Sequence, residues 1–168
     1  MTRIASLAGT SLECTQRSLW KQEFDFRAAD LVLGTFRFTD VFKRCARVET
    51  PEGTWTFERK GLWKPGVLVR DENGKTVAQI PWTMSGEMRI RCTMARVLRL
   101  KRIGWRRTDY EITTDMNFPL INIKRTNGFK TGLSIALTER AGHLPELPWV
   151  LFFGVFTCLT DAGGRRAR

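Results

Sequence analysis

Groups that exchange protons near neutral pH are almost missing from this chain. Its 168 residues include one histidine, His143, and one tyrosine, Tyr110. A lone imidazole cannot build a common zinc site, and every cysteine lies 15 or more residues from it. The four cysteines, Cys14, Cys45, Cys92 and Cys158, are 31, 47 and 66 residues apart, so no pair has CxxC spacing. They read as reduced, mostly structural thiols that pack as small hydrophobes. The phosphate-loop pattern GxxxxGK[ST] is absent, and no spacing singles out a pair of aspartates for acid–base work. The expectation is a protein without enzymatic activity, metal or cofactor.

Acidic residues are also scarce: 17 Asp and Glu stand against 28 Lys and Arg, a net charge of +11. Such a balance favours anionic partners. The apolar stretch Ile4–Leu12 is interrupted by Ser6, Gly9, Thr10 and Ser11, which makes a poor signal-peptide core. A cytoplasmic protein is expected, peripheral to a membrane if its partner is lipid. From Leu147 to Thr160 there is no charge, but as a helix these 14 residues span about 21 Å, short of the ~30 Å hydrocarbon core. That segment reads as a buried core helix.

Most of the rest reads as β-structure. Met88, Ile90, Cys92 and Met94 alternate with Arg89, Arg91 and Thr93, the period of a strand with one apolar face. Similar alternation covers 54–60 and 133–138. Further strands are expected over 19–26, 31–38, 41–48, 66–70, 76–80, 96–103, 108–113 and 120–125. The segment Asp71-Glu72-Asn73-Gly74-Lys75 has the chemistry of a tight hairpin, as do Thr50–Gly53 and Thr126–Gly128. About eleven short strands at this rhythm predict an antiparallel sandwich or barrel.

Helix signals come only near the end. Pro145 and Pro148 suit a first turn, and Glu146 complements the helix dipole. Trp149, Val150, Leu151, Phe152, Phe153, Val155, Phe156 and Leu159 follow, leaving no polar side. A helix apolar all round must be buried. A barrel of amphipathic strands has an apolar lumen that such a helix fills. The predicted fold is therefore all-β: a barrel of about 11–12 antiparallel strands enclosing one hydrophobic C-terminal helix. Residues 1–18 are expected as a flexible N-terminal segment, 19–160 as the barrel domain with its helix at about 145–160, and 161–168 as a basic tail.

Gly53-Thr54-Trp55-Thr56-Phe57, Arg59-Lys60-Gly61, Val67–Asp71, Val77–Ile80 and Glu146–Phe153 follow one another in an order that resembles the tubby C-terminal-like superfamily, in particular its LURP-one-related and phospholipid-scramblase branches. The resemblance implies a twelve-stranded barrel around a hydrophobic helix, and for some relatives a phosphoinositide ligand. The family's head-group residues have no matching positions here. The chain also has no D-x-[DN]-x-[DN]-G calcium loop and no cysteine cluster of the kind scramblases carry.

One segment concentrates the charge. Between Glu87 and Asp109 lie Arg89, Arg91, Arg96, Arg99, Lys101, Arg102, Arg106 and Arg107, with no acid between them. If 88–94 and 96–103 are neighbouring strands, Arg89, Arg91, Arg99 and Lys101 share the outer face. These eight residues are the candidate anion-binding site. The expected partners are anionic phospholipid head groups or a membrane surface; nucleic acid is the competing polyanion. Trp105 reads as a hairpin aromatic, Trp55, Phe57 and Trp63 as core or rim packing, and His143 as structural.

Overall fold

A computed structural model describes residues 3–18, 20–61, 65–83, 86–104, 108–126, 128 and 130–161. These residues form twelve antiparallel strands and one α-helix. The strands are β1 (Ser11–Gln16), β2 (Glu23–Ala28), β3 (Leu31–Phe38), β4 (Cys45–Thr50), β5 (Gly53–Lys60), β6 (Gly66–Arg70), β7 (Thr76–Pro81), β8 (Glu87–Arg91), β9 (Val97–Ile103), β10 (Asp109–Thr114), β11 (Pro119–Thr126) and β12 (Gly132–Leu137). The helix is α1 (Leu147–Asp161).

All twelve strands form one sheet, ordered β7-β6-β5-β4-β3-β2-β1-β12-β11-β10-β9-β8. Each strand pairs with its neighbours in sequence except that β7 and β8 share no ladder and the first and last strands pair with each other. Strand β1 takes β2 on one side and β12 on the other, Cys14 standing opposite both Phe26 and Leu133. The two edge strands, β7 and β8, come side by side without a ladder, so the barrel is nearly closed.

Alternation places the core. In β8, Met88 and Ile90 are buried while Arg89 and Arg91 are exposed; in β4, Ala46 and Val48 are buried. Strand β11 breaks the rule. Ile121 stands opposite Ile112 and Pro119 opposite Thr113, so Leu120 is the extra residue of a bulge, and Leu120 and Ile121 are both buried, as expected where a bulge puts successive residues on one face. The hairpin over 71–75 forms as its sequence predicts. Gly74 has φ +76°, and Asp71 Oδ1 accepts from the Asn73 and Lys75 amides at 2.9 and 3.0 Å.

Helix α1 runs through the lumen and is buried from Leu147 to Thr160 apart from half-buried Pro148. It is touched from several sides. Phe152 meets Phe26 of β2 at 4.9 Å and stacks on Trp55 of β5 at 6.5 Å between ring centres. Phe156 meets Phe38 of β3 and Phe57 of β5. A Cβ at Gly154 would stand 2.7 Å from Ile123 of β11 and 3.1 Å from Ile112 of β10. The buried hydroxyls of Thr157 and Thr160 donate to the carbonyls of Phe153 and Phe156, each at 2.9 Å, so neither helix hydroxyl is stranded in the lumen.

The expected boundaries change in several places; the strand expected over 19–26, for one, begins at Glu23. Residues 1–18 were expected to lie outside the barrel, but 11–16 are β1, with Leu12 and Cys14 wholly buried. The alternating run is only six residues long and has two apolar members, too little to mark a strand locally. The strand expected over 41–48 begins only at Cys45. Asp40 Oδ1 accepts from the Arg44 and Cys45 amides at 2.8 and 2.7 Å, folding 39–44 into a turn. The strand expected over 88–94 ends at Arg91. Met94 follows with φ +59°, in a 3-10 turn, and its side chain is exposed.

Candidate anion-binding face

Strands β8, β9 and β10 present the outer face that the basic segment predicts. Register sets Arg89 opposite Arg99 and Arg91 opposite Val97. Arg99 stands opposite Thr113 on its other side. Leu98 and Leu100 point inward and are fully buried, so Arg99 and Lys101 point out.

The same register introduces two acids. Glu87 lies opposite Lys101, and Lys101 lies opposite Glu111. Arg99 Nε approaches Glu87 Oε1 at 3.6 Å, too far for a hydrogen bond, and that nitrogen is buried without a hydrogen-bond partner. Lys101 Nζ donates to Asn117 Oδ1 at 2.6 Å. Arg89 and Arg91 are exposed and make no ion pair with any described residue. The face is a ladder of four cations and two carboxylates, with Arg89 and Arg91 open to solvent.

Two of the predicted residues serve the helix. Arg96, in the β8–β9 connection, pairs with Glu146 at 3.1 Å. The Glu146 carboxylate also accepts from the Thr93 amide at 3.1 Å and from the Thr93 hydroxyl. Arg102 has the inward parity of Leu98 and Leu100 and pairs with Asp161. Its Nε donates to the Tyr110 hydroxyl at 3.0 Å, and that hydroxyl donates to Asp161. Six strand steps from 96 to 102 cover about 20 Å; fifteen helix steps from 146 to 161 cover about 22 Å. One strand therefore reaches both ends of α1. Arg106 and Arg107 lie outside the described residues, as do Trp63, Trp105 and the tail from 162.

Burial sets the protonation of the inner groups. It pushes the Tyr110 hydroxyl up, and the hydrogen bond to Asp161 adds to this, so Tyr110 remains a neutral donor. Burial acts against the Arg102 charge, but Tyr110 and Asp161 outweigh it and its pKa rises. Burial raises Cys158 to about 11, with Arg125 pulling the other way, and raises Cys92 to about 12 with help from Glu146. Cys14 and Cys45 are raised as well. Thiols held protonated are weak nucleophiles and weak metal ligands at neutral pH. Among the described residues no three His, Cys, Asp or Glu side chains gather into a metal-binding group.

Two concavities lie elsewhere. One, of about 190 Å³, is lined by Arg17, Glu23, Thr35, Arg37, Arg47 and Glu49 on the outside of β2–β4. The other, of about 410 Å³, lies against β6 and β7 between Lys60, Pro65, Gln79 and Trp82. Residue composition singled out neither, because each is assembled from side chains of several neighbouring strands brought together by pairing.

No family model matches the chain, and no curated protein matches it. An X-ray structure of an Arabidopsis thaliana protein is similar over 95% of this chain and 96% of that one, with 8% sequence identity and a TM-score of 0.39. Likeness at that level carries no inference about activity or ligand. No helix among the described residues is long and apolar enough to cross a membrane.

Proposed function

We propose that this chain is a non-enzymatic binding or scaffolding module that engages anionic phospholipid head groups, or another anionic surface, through the β8–β9 face. The observation that carries this is that Arg89 and Arg91 are exposed and make no ion pair with any described residue. Open guanidinium groups on a rigid ladder suit phosphate, whose oxygens accept their parallel N–H donors. Two open arginines, each worth about 1 kcal/mol at an anionic leaflet, give weak and reversible attachment. The proposed place is cytoplasmic and peripheral to a membrane. The resemblance to tubby-like barrels is part of the same proposal; twelve antiparallel strands around one C-terminal helix support it.

Co-sedimentation with neutral and anionic vesicles, beside duplex DNA binding across a salt series, tests the reading. Retention by anionic vesicles alone is the expected result. Tighter binding to DNA than to vesicles at ~150 mM salt would assign the same arginines to nucleic acid instead.

A further inference from the structure

The barrel has two chemically different ends. The β1–β2, β3–β4, β5–β6, β7–β8, β9–β10 and β11–β12 connections share one end, where α1 finishes at Asp161. Among the described residues of those connections Asp40 is the one acid, and its carboxylate is held by backbone amides. Lys21, Lys43, Arg44 and Lys130 are the cations there, with Arg17, which is paired with Asp25 at 2.7 Å. Asp161 at this end is neutralised by Arg102. The opposite end is acidic, with Asp71, Glu72, Asp115 and Glu139 among its connecting residues.

The basic end also exposes large apolar side chains. Trp20 in the β1–β2 connection is 94% exposed; Val41 and Phe42 in the β3–β4 connection are 83% and 82% exposed. Both connections stand over the same paired strands. The Phe38 amide donates to the Gln22 carbonyl at 3.0 Å, joining the foot of one to the foot of the other. Lys130 reaches the Arg17 carbonyl at 3.4 Å, and the Arg44 guanidinium lies 5.9 Å from the Phe42 ring. Each apolar tip is therefore set among cations.

Leaving three such side chains in water is costly unless something covers them. A protein partner is disfavoured, because interface cores are poor in lysine. Stacking on nucleic-acid bases does not account for Val41, which has no ring. An anionic bilayer interface fits both features: apolar tips enter below the head groups while flanking cations meet the phosphates. Met94 and Met116 are exposed at the other end, but the acids there would be repelled.

We infer that the β1–β2 and β3–β4 connections form a membrane-insertion edge, with Trp20, Val41 and Phe42 entering the interface of an anionic bilayer and the neighbouring Lys and Arg holding its head groups. This edge goes beyond the β8–β9 face. Around the sheet β1, β12, β11 and β10 separate β2 from β9, so the two surfaces look in different directions and fail independently.

The test uses the full chain and vesicles of phosphatidylcholine, alone or with about 30% phosphatidylserine. The W20S/V41S/F42S variant is expected to bind anionic vesicles on the order of 100-fold more weakly, with its melting temperature unchanged because these side chains make little packing contact. Binding by the parent chain is expected to weaken but persist at ~500 mM salt, since part of it is apolar. Parent-level binding by the triple variant would overturn the edge. If R89S/R91S alone then abolished binding, the β8–β9 face would stand without it. No vesicle binding by the parent chain, or a triple variant that loses only self-association or nucleic-acid binding, would likewise overturn the edge.

Discussion

Replacing Arg89 and Arg91 together by Ser separates an anion-binding face from a set of structural arginines. Both side chains are exposed and unpaired among the described residues, so their removal leaves no stranded partner. Each contributes about 1 kcal/mol at an anionic leaflet. Losing about 2 kcal/mol lowers vesicle partitioning roughly 30-fold, with stability changed by less than about 0.5 kcal/mol. Arg102→Met is the opposite case. It removes the partner of Asp161 and one hydrogen bond to Tyr110 at the end of the helix. The pair is partly exposed, so the cost is about 1–2 kcal/mol of stability, with vesicle binding unchanged. Sedimentation with anionic vesicles and thermal unfolding by circular dichroism read the two quantities separately. If Arg102→Met weakened binding as much as Arg89→Ser, or if the double variant bound normally, the assignment of the face would be wrong.

The lumen makes sharper demands. Phe152→Ala removes a ring enclosed by Phe26 and Trp55 and should cost about 3–5 kcal/mol, lowering the melting temperature by roughly 10 °C; Phe152→Asp should prevent folding, and a soluble, folded Asp variant would contradict the enclosed helix. Gly154→Val forces a branched side chain into the space held by Ile123 and Ile112 and should destabilise by about 1–3 kcal/mol; a urea midpoint equal to that of the parent would show that the barrel wall yields there. The pH dependence follows from the raised thiol and phenol values. Above about pH 9 the unfolded chain releases protons that folded Cys92, Cys158 and Tyr110 retain, so the native state binds more protons and stability falls as pH rises. The urea midpoint should be lower at pH 11 than at pH 8, and equal midpoints would refute the burial of these groups.

What could be read from the chain alone was whatever its neighbours in sequence decide. Period-two alternation in 88–94 and 133–138 marks one face of a strand because successive residues point to opposite sides, although the first strand stops at Arg91. The Asp71–Lys75 turn closes with its own atoms. A helix without a polar side has to be enclosed, which is why an all-β barrel around a helix at about 145–160 was legible in the sequence. Interactions between distant segments were not. Strand β1 is a strand because β2 and β12 offer it two ladders, which no six-residue window reveals. The eight-cation segment looked free of acid, yet pairing brings Glu87 and Glu111 beside Lys101. Arg96 and Arg102 left that surface because a strand of about 20 Å lies along a helix of about 22 Å and reaches a carboxylate at each end. Local chemistry determined which elements form; only the closing of the sheet decided which charges meet, because cross-strand neighbours are set by register and not by order along the chain.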